Sequence, residues 1–196
     1  MTDSAVGQAT AADRPGKRER LVAAAVDLLH QQGIERTTLA DIAKAADVPA
    51  GNVYYYFKTK DEVIAAVIEA HAQQIKRTLA LIDTRHRSPK GRLKAFVREF
   101  TGQSEIVAQY GCPLGGLCSE LDKRVKERTL PVAELMRLLI DWAEDQFRSL
   151  GQPDASDLAF DLLAAYEGSA LLANTMHDPD VLSRAARRMN RWIDTL

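Results

Sequence analysis

Apolar residues recur every three or four positions along almost the whole chain, and this spacing limits the fold more than any other feature of the sequence. The first such segment carries Leu21, Ala24, Ala25, Leu28 and Leu29. Spacing of this kind aligns apolar side chains on one face of an α-helix. Outside one short segment, the chain has no convincing alternation of apolar and polar residues, the pattern of a half-buried strand. The sequence therefore predicts an all-α fold of about nine helices.

Helix-starting and helix-ending residues divide this pattern into segments. Gly33 is a natural C-cap residue for the first helix, and Thr38, three residues before Asp41, predicts a capping box at the start of the second. The Val48-Pro49 pair interrupts the pattern before a third short helix, because proline disfavours the helical conformation in the residue before it. Residues 111–116 contain three glycines and a proline, and we expect them to break the helical pattern.

The composition excludes several classes of protein. The chain has 196 residues, with 26 Lys and Arg against 27 Asp and Glu, so it is not a polycation that binds nucleic acid through bulk charge. Its apolar runs are much shorter than the roughly 20 residues of a membrane span. Residues 1–13 are small and polar, have no apolar h-region, and are predicted to form a flexible leader rather than a secretory signal. With only two cysteines in addition, we expect a cytoplasmic protein.

The one strand-like segment is an aromatic run, Val-Tyr-Tyr-Tyr-Phe, at residues 53–57. A lone strand would have no pairing partner in a helical chain, so we interpret the run as helical. Four of the 12 aromatic residues stand in it, more than burial of one short helix requires. Consecutive residues point in all directions around a helix, so some of these tyrosines must face solvent or a partner. A hydroxyl on an exposed ring can donate a hydrogen bond to a phosphate.

A short helix, a tight turn and a second short helix form the layout of a helix-turn-helix. The small residues Ala50 and Gly51 would let the tip of the second helix approach the floor of the DNA major groove. Val53 and Phe57 would anchor that helix to the core. Four basic residues ahead of these helices would lie near the phosphate backbone: Arg14, Lys17, Arg18 and Arg20.

The segment from Thr37 to Ile64, TTLADIAKAADVPAGNVYYYFKTKDEVI, resembles the TetR family of bacterial transcriptional repressors. The resemblance implies a DNA-binding domain at residues 14–60, with the recognition helix at Ala50 to Phe57. It implies DNA contacts from Thr38, Ala50, Gly51, Asn52, Tyr54, Tyr55, Tyr56 and Lys60, and from the basic cluster we add a contact from Arg18. Tyr56 departs from the histidine that many members have at this position. The alternative is a helical hairpin without a role in DNA binding.

The resemblance further implies that residues 61–196 form a ligand-binding and dimerisation domain, and that a small-molecule effector releases a homodimer from a palindromic operator. Large aromatic residues with polar groups suit an amphipathic effector, and we expect its site to include Phe100, Tyr110, Cys112, Trp142, Tyr166 and Asn174. Small or apolar residues at helical spacing are expected at the dimer interface: Ala165, Gly168, Ser169, Leu172, Met189 and Trp192. Alternatively, both sets pack only within one monomer.

Cys112 precedes Pro113 at a predicted helix start, where the helix dipole could lower the pKa of the thiol. Some TetR-like regulators resemble the segment GCPLGGLCSEL and respond to reactive species through a cysteine here, so a thiol-based sensor is an alternative function. Burial of Cys112 and Cys118 as small hydrophobic residues is the other interpretation. A cysteine-dependent enzyme would need a histidine such as His177 near Cys112. No metal-binding or cofactor-binding motif occurs, so we expect neither metal nor cofactor and no catalysis.

Overall fold

A computed structural model describes residues 15–124 and 131–196, and the predicted leader lies outside these ranges. The described residues form ten α-helices and no strand. The helices are α1 (Lys17–Arg36), α2 (Leu39–Ala45), α3 (Ala50–Tyr56), α4 (Lys60–Arg85), α5 (Pro89–Thr101), α6 (Ser104–Tyr110), α7 (Pro113–Arg124), α8 (Pro131–Ser149), α9 (Ala155–Met176) and α10 (Asp180–Thr195). The all-α prediction is confirmed.

The helix starts agree with the capping residues in the sequence. The Thr38 hydroxyl accepts a hydrogen bond from the Asp41 amide at 3.1 Å, and the Asp41 carboxylate accepts one from the Thr38 amide at 3.0 Å. This is the reciprocal arrangement of a capping box. Ser88 caps α5 through the Gly91 amide, with Pro89 in the first turn. Thr59 caps α4 in the same way, through the Glu62 amide.

Two breaks differ from the sequence prediction. Gly111 and Cys112 alone separate α6 from α7, whereas Gly115 and Gly116 are helical, so the break predicted over residues 111–116 was too long. Gly111 has a φ of +84°, which glycine adopts without strain, and Pro113 then begins the next helix. A further break at residues 102–103 separates α5 from α6. The sequence analysis did not predict this break, which raises the helix count.

The first three helices form a small unit on the end of a larger helical body. In that body α8 and α9 pack side by side, and α10 packs against both α9 and α5. Its core includes the fully buried side chains of Phe96, Leu139, Phe147 and Leu162. The long helix α4 contacts α1 at one end and α5 and α8 along its length, so it connects the two parts. None of the helices in the described ranges has both the length and the apolar character needed to cross a bilayer.

Candidate nucleic-acid interface and effector region

The turn between α2 and α3 is held in place from α1. Asp47 has a φ of +52°, and the next residue, Val48, is buried under the turn. The Arg20 guanidinium donates hydrogen bonds to the carbonyls of Ala46 and Asp47, at 3.0 and 3.2 Å. Arg20 was predicted to lie at a phosphate backbone, but these bonds give it a role in fixing the angle between α2 and α3. Its sequence position beside Arg18 and Lys17 gave no sign of that role.

The recognition helix predicted at α3 has one buried face and one open face. Val53 and Phe57 are buried, as their predicted anchoring role requires. Tyr54 is 56% exposed and Tyr55 is 77% exposed, although tyrosine is typically intermediate in burial. Tyr56 is half-buried and stands edge-on to Tyr55, with ring centroids 5.0 Å apart. The helix therefore presents two phenol groups to solvent on a rigid support.

The tip of α3 is equally open. Ala50 and Gly51 are exposed, and Asn52 is half-buried. A Cβ atom built on Gly51 would meet no atom within 4 Å beyond its chain neighbours and the adjacent backbone of α3. The fold itself therefore gives no steric reason for a glycine at this position. Any reason for its small size lies in what approaches the tip from outside.

The predicted polar and cationic contacts around α3 have partners within the protein. The Arg18 guanidinium lies 5.4 Å from the centroid of the Phe57 ring, a cation–π arrangement that leaves Arg18 exposed. The Lys60 ammonium donates to the Glu35 carbonyl at 3.3 Å. The Thr38 hydroxyl donates to the Asp41 carboxylate at 2.6 Å, and these hydrogen bonds from Thr38 hold the pKa of Asp41 below its usual value.

Two exposed lysines were missed in the sequence analysis. Lys44 lies in the last turn of α2, and Lys58 follows α3 and donates to the Tyr54 carbonyl. Both add positive charge beside the helix-turn-helix. Their positions at the ends of the two short helices are the signal that could have identified them, since phosphate contacts commonly flank the helix that reads the bases.

The residues predicted to bind an effector fall into several environments. Phe100 and Tyr166 lie edge to face, with centroids 5.9 Å apart, and share a pocket of about 180 Å³. Tyr110 lies edge-on to His30 and lines a separate pocket of about 50 Å³. The Trp142 indole donates to the Asp83 carboxylate at 3.2 Å, and the Asn174 amide donates to the Ala108 carbonyl at 3.2 Å. Neither Trp142 nor Asn174 lines these two pockets.

Cys112 lies in surroundings that oppose the thiolate form. Its sulfur is buried and lies 3.2 Å from a Glu167 carboxylate oxygen and 3.8 Å from the Tyr166 hydroxyl. Burial, with the nearby Glu167 charge, raises the pKa of the Cys112 thiol to about 12. The expectation that the helix start lowers this pKa was wrong, because desolvation outweighs the hydrogen bond that the Gly115 N–H donates to the sulfur. Among the described residues, no group of three His, Cys, Asp or Glu could hold a metal ion.

A groove of about 510 Å³ runs between α9 and α10 and contains the whole predicted dimer interface. Its walls include the six residues Ala165, Gly168, Ser169, Leu172, Met189 and Trp192. Leu172 is 54% exposed, and Met176, one turn further along α9, is 61% exposed. Met189 is buried at the floor, and Trp192 packs against Phe147 with centroids 5.7 Å apart. Apolar side chains therefore remain uncovered along the α9 side of this groove.

Residues 21–67 match the family described as bacterial regulatory proteins, tetR family. An uncharacterised HTH-type transcriptional regulator in the lacX 3′ region of Lactococcus lactis subsp. lactis is 29% identical over 170 residues, covering 84% of this chain and 87% of the relative. The HTH-type transcriptional regulator BetI of Paraburkholderia phymatum is 28% identical over 188 residues, covering 93% of this chain and 94% of BetI. A solved TetR transcriptional regulator from Legionella pneumophila has the same fold, with a TM-score of 0.79 and 21% identity, covering 91% of this chain and 98% of the other.

Proposed function

We propose that this chain, a TetR-family transcriptional regulator and not an enzyme, binds a palindromic operator as a homodimer, represses transcription there, and leaves the DNA when a small-molecule effector binds. The surface of α3 is the observation that carries the proposal. Tyr54 and Tyr55 are exposed on a helix whose opposite face is buried, and Gly51 at its tip leaves room for a DNA base edge. A helix built for packing alone would not leave two tyrosines uncovered.

The groove between α9 and α10 supports the dimer. In a two-fold interface the same surface patch of both chains meets, so small residues such as Ala165 and Gly168 would let two copies of α9 approach closely. Leu172 would lose its exposure in such a pairing. Arg188 and Asp161 also line the groove and offer opposite charges at its edge. The two recognition helices would then face two half-sites of one palindrome.

The pocket at Phe100 and Tyr166 supports the effector site. Its wall is apolar at Ile75, Leu114 and the two rings, while Gln74, Thr78 and Gln103 supply polar groups. This combination suits a small amphipathic molecule. The size of about 180 Å³ limits the effector to a compact one unless the pocket widens. An effector that releases DNA must bind the DNA-competent conformation less tightly than the other, by linkage.

Selection from a pool of random duplex DNA tests the proposal. The purified protein is incubated with the pool at low salt, and the DNA that it retains is sequenced. We expect a two-fold symmetric sequence whose affinity falls steeply with salt concentration, because phosphate contacts release counterions. A retained pool without any enriched sequence would contradict the proposal.

A thiol sensor on the same scaffold is not favoured, because the Cys112 thiol is buried and its pKa is raised to about 12. Oxidant treatment of the wild-type chain and of the Cys112→Ser variant distinguishes the two functions. We expect hydrogen peroxide to leave operator binding unchanged in both proteins. Release of the wild-type chain from the operator, but not of the variant, would support the thiol-sensor function instead.

A further inference from the structure

We infer that Glu120 of α7 couples the effector region to the DNA-binding head, which consists of α1 to α3, through a hydrogen bond to the end of α1. The inference rests on the proposed function, since it names the residue through which the effector site and the operator site influence each other. It concerns a positioning residue, which touches neither DNA nor effector.

The contact between Glu120 and α1 is a short hydrogen bond from a main-chain amide. The Ile34 N–H donates to a Glu120 carboxylate oxygen at 2.6 Å, and the Glu120 side chain is half-buried between the two helices. Hydrogen bonds from an amide to a carboxylate are about twice as strong as neutral ones. This bond links two segments that are 86 residues apart in the sequence.

Gly33 makes this contact possible. Its φ of +81° interrupts the helical geometry of α1 and turns the following amide toward α7. A Cβ atom at Gly33 would lie 2.8 Å from a Glu120 carboxylate oxygen. The backbone conformation therefore favours glycine here, and a side chain at this position would displace the Glu120 carboxylate. Gly33 was predicted to end the first helix, and in the structure it also leaves room for the Glu120 carboxylate.

Residues 33–34 are linked by hydrogen bonds and by the short connecting chain to the start of the helix-turn-helix. The hydroxyl of Thr37, which is fully buried, donates to the Gly33 carbonyl at 2.7 Å. The next residue, Thr38, is the N-cap of α2. The Lys60 ammonium at the start of α4 donates to the carbonyl of Glu35. A displacement at residues 33–34 must therefore shift or strain the start of α2, and with it the orientation of α3.

A second contact joins α1 to the start of α7. The Nε2 atom of His30 lies 2.8 Å from the Gly111 carbonyl oxygen. A carbonyl can only accept, so Nε2 carries the proton and donates. Gly111 is one of the two residues between α6 and α7. The start of α7 and its third turn are thus both tied to α1.

The first turn of the same helix borders the proposed effector pocket. Pro113 and Leu114, in the first turn of α7, line that pocket together with Tyr166. Glu120 lies six residues after Leu114, about 9 Å along the helix axis. An effector that pushes on the first turn would move α7 as a rigid unit and alter the Glu120 contact. Packed elements of this kind carry coupling, but only a coupling measurement establishes it.

Coupling between two sites is reciprocal, so it is measurable before the effector is known. Operator binding should stabilise the hydrogen bond between Glu120 and Ile34 and slow amide hydrogen exchange in residues 111–121. The measurement is hydrogen exchange followed by mass spectrometry of that segment, with and without the operator obtained by selection. Three variants test the residue: Glu120→Ala removes the carboxylate, Glu120→Asp keeps its charge but shortens its reach, and Glu120→Gln keeps an acceptor oxygen at the same reach. Glu105→Ala, at an exposed site on α6, is the matched control.

For the wild-type chain and Glu105→Ala, we expect operator to slow exchange in residues 111–121 about tenfold, within the usual range of coupling between sites. Glu120→Ala and Glu120→Asp should bind operator but show less than about a twofold effect, and Glu120→Gln should retain most of it. Direct shielding of α7 by DNA would persist in all variants and would overturn the inference. If Glu120→Ala fails to fold, the contrast between Glu120→Asp and Glu120→Gln decides the same question.

Two outcomes separate this inference from the proposed function. Wild-type protein that binds operator without protecting residues 111–121 would overturn the inference alone. Wild-type protein that binds no DNA would overturn the proposed function and the inference with it. Protection that disappears in Glu120→Asp and survives in Glu120→Gln would support the inference.

Discussion

The tyrosines of α3 and the aromatic residues of the C-terminal helices carry similar polar groups but use them differently. Tyr54 and Tyr55 expose their rings to solvent. Trp142 donates its indole N–H to Asp83, and the Tyr166 hydroxyl contacts the Cys112 sulfur. The polar groups of Trp142 and Tyr166 have partners inside the chain, whereas the rings of Tyr54 and Tyr55 face solvent. We therefore place the proposed DNA interface by exposed polar groups on a rigid helix and not by aromatic character.

Gly51→Leu tests the open tip of α3 and should have the largest effect. A leucine side chain would stand where a DNA base edge approaches, so we expect operator affinity to fall more than about 100-fold, the loss of several base contacts. The melting temperature should stay close to the wild-type value, because the added Cβ meets no other part of the protein within 4 Å beyond its chain neighbours and the adjacent backbone of α3. Fluorescence anisotropy and circular dichroism measure the two quantities.

Ala80→Leu, at an exposed site on α4, is the control for Gly51→Leu. It should leave both operator affinity and melting temperature unchanged. Unchanged operator affinity in Gly51→Leu would show that α3 is not the recognition helix.

Leu172→Glu tests whether the apolar groove of the C-terminal half has a partner as α3 does. A charge at this exposed position costs little in a monomer but would be buried in the dimer, where an unpaired carboxylate is strongly unfavourable. We expect the variant to sediment as a monomer and to bind operator at least about tenfold more weakly. Leu81→Glu, on the exposed part of α4, should remain dimeric. A dimeric Leu172→Glu protein would rule out this groove as the interface.

Tyr55→Phe sharpens the role of the exposed phenol groups. If the hydroxyl donates to a phosphate, its loss should weaken binding about tenfold, as expected for one hydrogen bond to a charged group. The loss should be equal for operator and unrelated DNA, because a phosphate carries no sequence information. Tyr110→Phe, outside the helix-turn-helix, provides the comparison. A loss confined to the operator would mean that Tyr55 reads a base instead.

Glu167→Gln tests the satisfied interior through its pH dependence. Burial raises the pKa of Glu167, although its hydrogen bond with Cys112 acts in the opposite direction. A raised pKa means that the folded state holds the proton more tightly than the unfolded chain. The associated stability is fully present below the unfolded pKa of about 4.3 and is lost as pH rises through the folded pKa.

We therefore expect Glu167→Gln to melt at the wild-type temperature near pH 4 and a few degrees higher near pH 8. Thermal melting over this pH range measures the difference. Glu134→Gln, at an exposed site, should melt like the wild-type chain at every pH. A Glu167→Gln variant less stable than wild type at pH 8 would show that the carboxylate stabilises the fold.

The sequence was sufficient for the helix-turn-helix and insufficient for the effector region, for physical reasons. Helix starts at Thr38 and Ser88 depend on residues a few positions apart, so local pattern reveals them. The residues that line the groove between α9 and α10 could also be predicted from the sequence, because they repeat along one helix face. The surroundings of Cys112 depend on Glu167, 55 residues away, and no local pattern contains that contact. The hydrogen bond between Glu120 and Ile34 could not be predicted for the same reason, because the two residues are 86 positions apart.

Binding to a complete palindrome and to the same duplex with one half-site scrambled tests the central claim most directly. The dissociation constants are measured over a range of salt concentrations, together with the number of chains bound. The account predicts two chains on the complete site, an affinity at least about 100-fold higher than for the half-site, and a steep loss of affinity with salt. Equal affinity for both duplexes, or one chain on the complete site, would contradict it.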